Sequence, residues 1–177
     1  MTMALAIGQT ARDFQPLPAI DGERYSLASF AAHRLLIVAF ICTGCPTVKA
    51  NEERLISIQE KYRRAGVQIV AINANNPYLS PPDTVDEMTR RAEEKRFNFP
   101  YLKDEHGTAA DLFGAISTPH VFVLEASRRL VYKGRIDDTR DPARATYSDL
   151  ENALRDVFAG TSVQAPETVP FGCAIVR

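Results

Sequence analysis

The chain has 177 residues, with 21 lysines and arginines against 22 aspartates and glutamates, a net charge of -1 and 45% hydrophobic content. This is the composition of a soluble globular protein of one domain's size, and its interspersed, nearly balanced charge offers no electrostatic footprint for nucleic acid or an anionic membrane. Three cysteines are too few for a disulfide-stapled scaffold, and two of them form the pair Cys42-X-X-Cys45, which brings redox chemistry or half a metal site to the front.

The first ten residues carry no basic group ahead of their short apolar stretch, so they do not read as a signal peptide. The longest apolar run, Leu35 to Cys42, falls far short of the roughly 20 residues of a membrane-spanning helix. The expectation is a soluble, cytoplasmic protein without nucleic-acid or membrane partners. Residues 12 to 30, with an Asp21-Gly22 turn, predict an extended lead-in containing a short hairpin. Leu35 to Ile41 is a continuous apolar run of strand length, as for a central strand covered on both faces. It leads straight into Cys42-Thr43-Gly44-Cys45-Pro46. From there to Ala65 apolar residues recur at helical spacing (Val48, Leu55, Ile58 and Tyr62), and Gly66 closes the helix.

Val67 to Ala71 predicts a second buried strand, and Asn73 to Pro82 a turn-rich loop that either shapes a substrate site or serves as an exposed connector. Asp83 or Thr84 caps a helix to about Arg96. A short strand at 100 to 102 and a short helix from Thr108 to Phe113 follow. Val121 to Leu124 and Leu130 to Gly134 form an antiparallel hairpin, and a last helix spans about Tyr147 to Phe158. The alternation is that of an α/β sheet, and 1–177 reads as one domain with a core of about 14–160 and an extended, irregular tail over 161–177.

A Cys-X-X-Cys between a buried strand and a helix has a mechanical logic. The strand fixes the pair at the sheet edge, and the helix turns its free N–H groups and the positive end of its dipole toward sulfur, favouring thiolate. On this basis Cys42 is expected to be the more exposed nucleophile and Cys45 the resolving thiol a turn inside. Pro46 fits the first helical turn, where its missing N–H costs little. The alternatives are two inert thiols, or half a zinc site whose other ligands would come from the dispersed Cys173, His33, His106 and His120. Thr118-Pro119 opens the strand Val121 to Leu124. If that bond is cis, the Thr118 backbone lies beside the cysteines and can pair with a substrate strand.

This order of parts resembles the thioredoxin-fold superfamily, and within it the redoxin group of alkyl hydroperoxide reductase and thiol-specific antioxidant relatives. The segment Phe40-Ile41-Cys42-Thr43-Gly44-Cys45-Pro46-Thr47-Val48-Lys49-Ala50 is similar to that of a peroxiredoxin-like branch, as are Ala71-Ile72-Asn73, Gly134-Arg135-Ile136-Asp137-Asp138 and Gly172-Cys173-Ala174-Ile175. The resemblance implies a thioredoxin fold: a central mixed β-sheet with helices on both faces, an N-terminal extension, a C-terminal tail and a cis Pro119.

For activity it implies a dithiol–disulfide cycle of Cys42 and Cys45, with Thr118 and Pro119 as the substrate clamp. Such a cycle takes a protein or small-molecule disulfide as substrate and electrons from a partner reductase or small thiol. No cofactor and no metal are implied. The alternative is a thiol peroxidase. In peroxiredoxins the peroxide-attacking cysteine matches Cys45, but the accompanying Thr and Arg are replaced here by Cys42 and Pro119, and a thiol is a weak donor. A third possibility from another class is a metal-binding or redox-sensing module.

Cys173 reads as a small hydrophobe docking the tail or as a third redox thiol. Glu52 and Lys49 are candidate proton-transfer groups whose simpler reading is a solvated helix face, and Arg135, Asp137 and Asp138 suit turn and cap roles.

Overall fold

The computed structural model describes residues 3–177. The lead-in forms the expected hairpin from β1 (Leu17–Pro18) and β2 (Arg24–Tyr25), paired antiparallel around the Asp21-Gly22 turn. β3 (Leu35–Phe40) is buried at all six positions. It lies in the middle of a five-stranded sheet of order β5-β4-β3-β7-β8. β4 (Val67–Asn73) and β5 (Tyr101–Lys103) run parallel to it on one side, while β7 (His120–Glu125) and β8 (Leu130–Gly134) are antiparallel on the other. The sheet is therefore mixed. β4 runs two residues beyond the predicted Ala71 because β5 pairs with Ala71, Ile72 and Asn73.

Alternation along β3 divides the core. Leu35, Ile37 and Ala39 face helices α1 (Pro46–Tyr62), α2 (Val85–Lys95) and α4 (Asp149–Phe158), meeting Val48, Leu55, Ile58, Met88 and Leu154. Leu36, Val38 and Phe40 face α3 (Thr108–Phe113) together with the lead-in residues Phe14, Leu17, Leu27 and Phe30. Helices thus lie on both faces, as expected. On the second face, however, a single six-residue helix shares the cover with the N-terminal extension. The helix predicted to reach Ala65 ends at Tyr62, tightening into a 3₁₀ turn over Arg63–Ala65 before Gly66 takes a left-handed φ of 87°. α4 starts two residues later than predicted, because Ser148 stands outside it as the N-cap residue.

The tail departs most from expectation. It is ordered by backbone hydrogen bonds: Lys133 N donates to Pro166 O at 2.9 Å, and Thr168 N donates to Lys133 O at 3.0 Å. Further on, β9 (Cys173–Ala174) pairs antiparallel with β6 (Ser117–Thr118), aligning Cys173 with Thr118. Val176 then bonds to the Asn73–Pro82 loop, its carbonyl accepting from Asn76 N at 2.7 Å and its N–H donating to Asn75 Oδ1 at 2.9 Å. A chain whose polar backbone is matched this fully behaves as an added edge strand.

Candidate active site

β3 delivers the chain to the C-terminal edge of the sheet, and residues 41–44 form the loop before α1. Cys45 is the N-cap of α1 in extended backbone (φ -76°, ψ 122°), and Pro46 occupies the first turn as expected. Cys42 lies three residues earlier, outside the helix. Both sulfurs belong to the core under α1, with side chains 3% and 2% exposed. Cys45 is sheltered as expected, but Cys42 is buried as well, with its sulfur against Thr118.

Across from the pair, the Thr118-Pro119 bond is cis. Cys42 Sγ and Thr118 Oγ1 are 3.2 Å apart, and Cys45 Sγ is 3.4 Å from Thr118 O. Of the two, Cys45 is the sulfur whose pKa is held down, chiefly by the Cys42 thiol beside it and against the opposing effect of burial. The Cys173 thiol and the Val48 and Cys173 N–H groups act in the same direction. The contact to Thr118 O favours a neutral Cys45, but it is one long acceptor against several donors. Cys42 is correspondingly pushed up, by the Cys45 sulfur beside it and by burial. The lowered pKa thus falls on Cys45, where the sequence reading expected the reactive thiolate at Cys42.

A buried carboxylate that the sequence suggested only as a helix cap turns out to hold the cysteine loop. Asp83 Oδ1 accepts from Thr43 N at 2.7 Å and Asn73 Nδ2 at 2.8 Å, while Oδ2 accepts from Asn75 Nδ2 at 2.9 Å and Ser80 Oγ at 2.6 Å. Burial opposes its charge, but these donors prevail and its pKa is lowered. Thr84 makes the cap instead, accepting from Glu87 N. Buried Lys103 closes the network from below, donating to Asn75 O at 2.6 Å and Asp83 O at 2.7 Å. The Asn73–Pro82 loop is thus part of the site's wall, although its tip at Tyr78 and Leu79 is exposed. The signal available in the sequence was the density of Asn, Ser and Asp beside a lone lysine in β5.

Other candidates separate. Glu52 is no solvated charge: it is buried and paired with Arg91 at 2.7 and 3.0 Å, joining α1 to α2. Lys49 is exposed. His120 packs on Phe122 with ring centroids 4.4 Å apart and the rings tilted by 34°. Among the described residues no group of three or more His, Cys, Asp or Glu is arranged to hold a metal ion, and no helix is long and apolar enough to cross a membrane.

A mixed five-stranded sheet, a Cys-X-X-Cys at a strand-to-helix junction and a facing cis-proline segment define a thioredoxin-fold redox protein. The comparison with known proteins is more specific: residues 7–133 match the AhpC/TSA family, and the chain belongs to it. Peroxiredoxin Bcp from Escherichia coli K12 is 27% identical over 110 residues, 62% of this chain and 65% of that relative's length. A hypothetical protein from Sinorhizobium meliloti 1021 superposes with a TM-score of 0.89 at 34% identity, covering 98% of this chain and 95% of that one. The thioredoxin domain of a thiol-disulfide oxidoreductase from Bacteroides vulgatus shares the fold, with a TM-score of 0.62 at 16% identity over 73% of this chain and 89% of that one.

Proposed function

We propose that the protein is a thiol–disulfide oxidoreductase that cycles between the dithiol and the disulfide of Cys42 and Cys45, in a reducing compartment such as the cytoplasm. The observation that carries this reading is the pair of sulfurs set against Thr118, Cys42 Sγ 3.2 Å from its hydroxyl and Cys45 Sγ 3.4 Å from its carbonyl. The Cys45 thiolate attacks a substrate disulfide, forming a mixed disulfide and expelling one substrate thiolate, which takes up a proton. Cys42 then loses its proton and attacks Cys45 Sγ; the Cys42–Cys45 bond forms and the second substrate thiol leaves. An external dithiol, from a reductase or a small thiol, returns both electrons. Thr118 Oγ1 lies where it can donate to Cys42 as charge develops there. Asp83, saturated by four donors, holds the loop and shuttles no proton.

A second reading, a thiol peroxidase using Cys45, is favoured by the low Cys45 pKa and by the Escherichia coli relative named a peroxiredoxin. Against it, no arginine or lysine among the described residues hydrogen-bonds either sulfur to polarise a peroxide. Insulin reduction by dithiothreitol separates the two. The native protein should accelerate it, with Cys45→Ser inactive and the double variant Cys42→Ser, Cys173→Ser trapping a mixed disulfide. Peroxide consumption that persists in Cys42→Ser, with no insulin reduction by the native protein, would instead establish the peroxidase.

A further inference from the structure

The same sheet edge that would receive a substrate strand already carries one. β9 lies antiparallel on β6 with Cys173 opposite Thr118, and Ile175 N donates to Ile116 O at 3.2 Å. Cys173 packs against the core cluster that holds Cys42 and Cys45, and its backbone pairs with Thr118, whose carbonyl lies 3.4 Å from Cys45 Sγ. Two glycines make the approach possible. A Cβ on Gly172 would stand 1.9 Å from Thr118 O, and one on Gly134 would stand 2.1 Å from Thr168 Oγ1. Each contact lies along the tail's path, one at the cysteine site and one where the tail leaves β8. A tail docked merely to fill space would not require backbone-to-backbone contact at both places. The family match ends at residue 133, before any of this segment.

We infer that the C-terminal strand is an internal occupant of the substrate site, held as an incoming cysteine-bearing peptide would be, and that Cys173 forms a disulfide with Cys45 that latches the tail over the pair. The latch rests on the Cys42–Cys45 cycle proposed above. Once substrate has left the Cys42–Cys45 disulfide behind, Cys173 releases its proton to solvent and its sulfur attacks Cys45 Sγ. The Cys45–Cys173 bond forms and the Cys42–Cys45 bond breaks. The electron pair leaves on Cys42 Sγ, which takes up a proton, so the exchange is redox-neutral and needs no further oxidant. The Thr118 hydroxyl, 3.2 Å from Cys42 Sγ, stands where it can donate to the departing sulfur. The latched protein holds its oxidising equivalent with the strand-pairing edge closed. External dithiol attacking Cys45–Cys173 returns all three thiols.

The test is to oxidise the full chain with oxidised glutathione, block free thiols and map tryptic peptides without reduction. Residues 35–49 carry both Cys42 and Cys45, and residues 156–177 carry Cys173. Latching joins these two peptides in the native protein and in Cys42→Ser, and Gly172→Val loses the link while keeping the Cys42–Cys45 disulfide. In the reduced protein, Gly172→Val and a second variant lacking residues 171–177 should raise the rate of Cys45 alkylation by iodoacetamide at least tenfold. Cys173 fully alkylatable in oxidised Cys42→Ser would overturn the latch, and an unchanged Cys45 alkylation rate in both tail variants would overturn the occupancy. Cys173→Ser distinguishes the layers: if it cannot form the Cys42–Cys45 disulfide, the underlying redox cycle is what fails.

Discussion

At the scale of single residues, the chemistry turns on which cysteine has the lowered pKa. The Cys42 thiol keeps the pKa of Cys45 beside it below the ordinary thiol range. In the native protein, the rate of Cys45 alkylation should climb less between pH 6 and pH 8 than that of an ordinary thiol, which gains rate up to about pH 8.5. A rate that climbs tenfold per pH unit through this range would return the thiolate role to Cys42. The cysteine pair, Pro46 and the Thr118-Pro119 bond were legible because local chemistry limits what such residues do beside a strand and a helix. The polarity of the pair was not, since donors to Cys45 come from Val48 and from Cys173, which lies 128 residues away. Asp83 was half legible. Its cap-like setting in the sequence is real, but its four partners converge only when the loop folds under the cysteines.

Among the elements, α1 is held to α4 and to the segment after β8 by one guanidinium. Arg54 donates to both Asp137 oxygens at 3.1 and 3.2 Å, to Glu151 at 2.6 Å and to Ser148 at 2.5 Å. Burial works against the Glu151 charge, but hydrogen bonds from Lys61, Tyr62 and Arg54 outweigh it and bring its pKa down to about 2. The stabilisation is therefore complete above the ordinary carboxylate range and lost only as pH falls toward 2. Removing the guanidinium leaves the buried Asp137 carboxylate unpaired and takes one of the three donors from Glu151, so Arg54→Ala should lower stability at pH 7 by about 3 kcal/mol in urea titrations. A loss under about 0.5 kcal/mol would show that the cluster is screened like a surface pair. The sequence placed Asp137 in a turn cluster, and nothing in the helical spacing of Val48, Leu55, Ile58 and Tyr62 singled out Arg54. Their meeting is a consequence of how α1 crosses the sheet and is not encoded in either segment alone.

At the scale of the whole molecule, stability should carry the signature of a buried neutral imidazole. Burial first, and Lys133 second, lower the His120 pKa to about 4. The unfolded chain takes up this proton at about pH 6.5, so the contribution is complete above that value and is lost as pH falls toward 4. The 2.5-unit difference corresponds to roughly 3 kcal/mol. Urea midpoints of the native protein should drop between pH 6.5 and pH 4, and those of His120→Gln should drop distinctly less; parallel curves would assign the acid loss to other groups. The sheet order and the hairpins were readable from apolar runs and turn residues, which is where local pattern and fold agree. The tail was not, because Gly172, Cys173 and Pro166 read alike in an irregular segment and in an edge strand until their partners are known.

The tail's attachment at β8 has a quantitative side. Because Pro166 and Thr168 bond Lys133, the segment beyond them can lift from Thr118 without leaving the molecule. A ligand tethered by a short flexible link competes at an effective concentration on the order of millimolar. Any external strand bound at this edge must outbid that standing competitor, so weak and abundant disulfides are screened out while well-matched ones pass, and shortening or loosening the tether resets the threshold without touching a single sulfur.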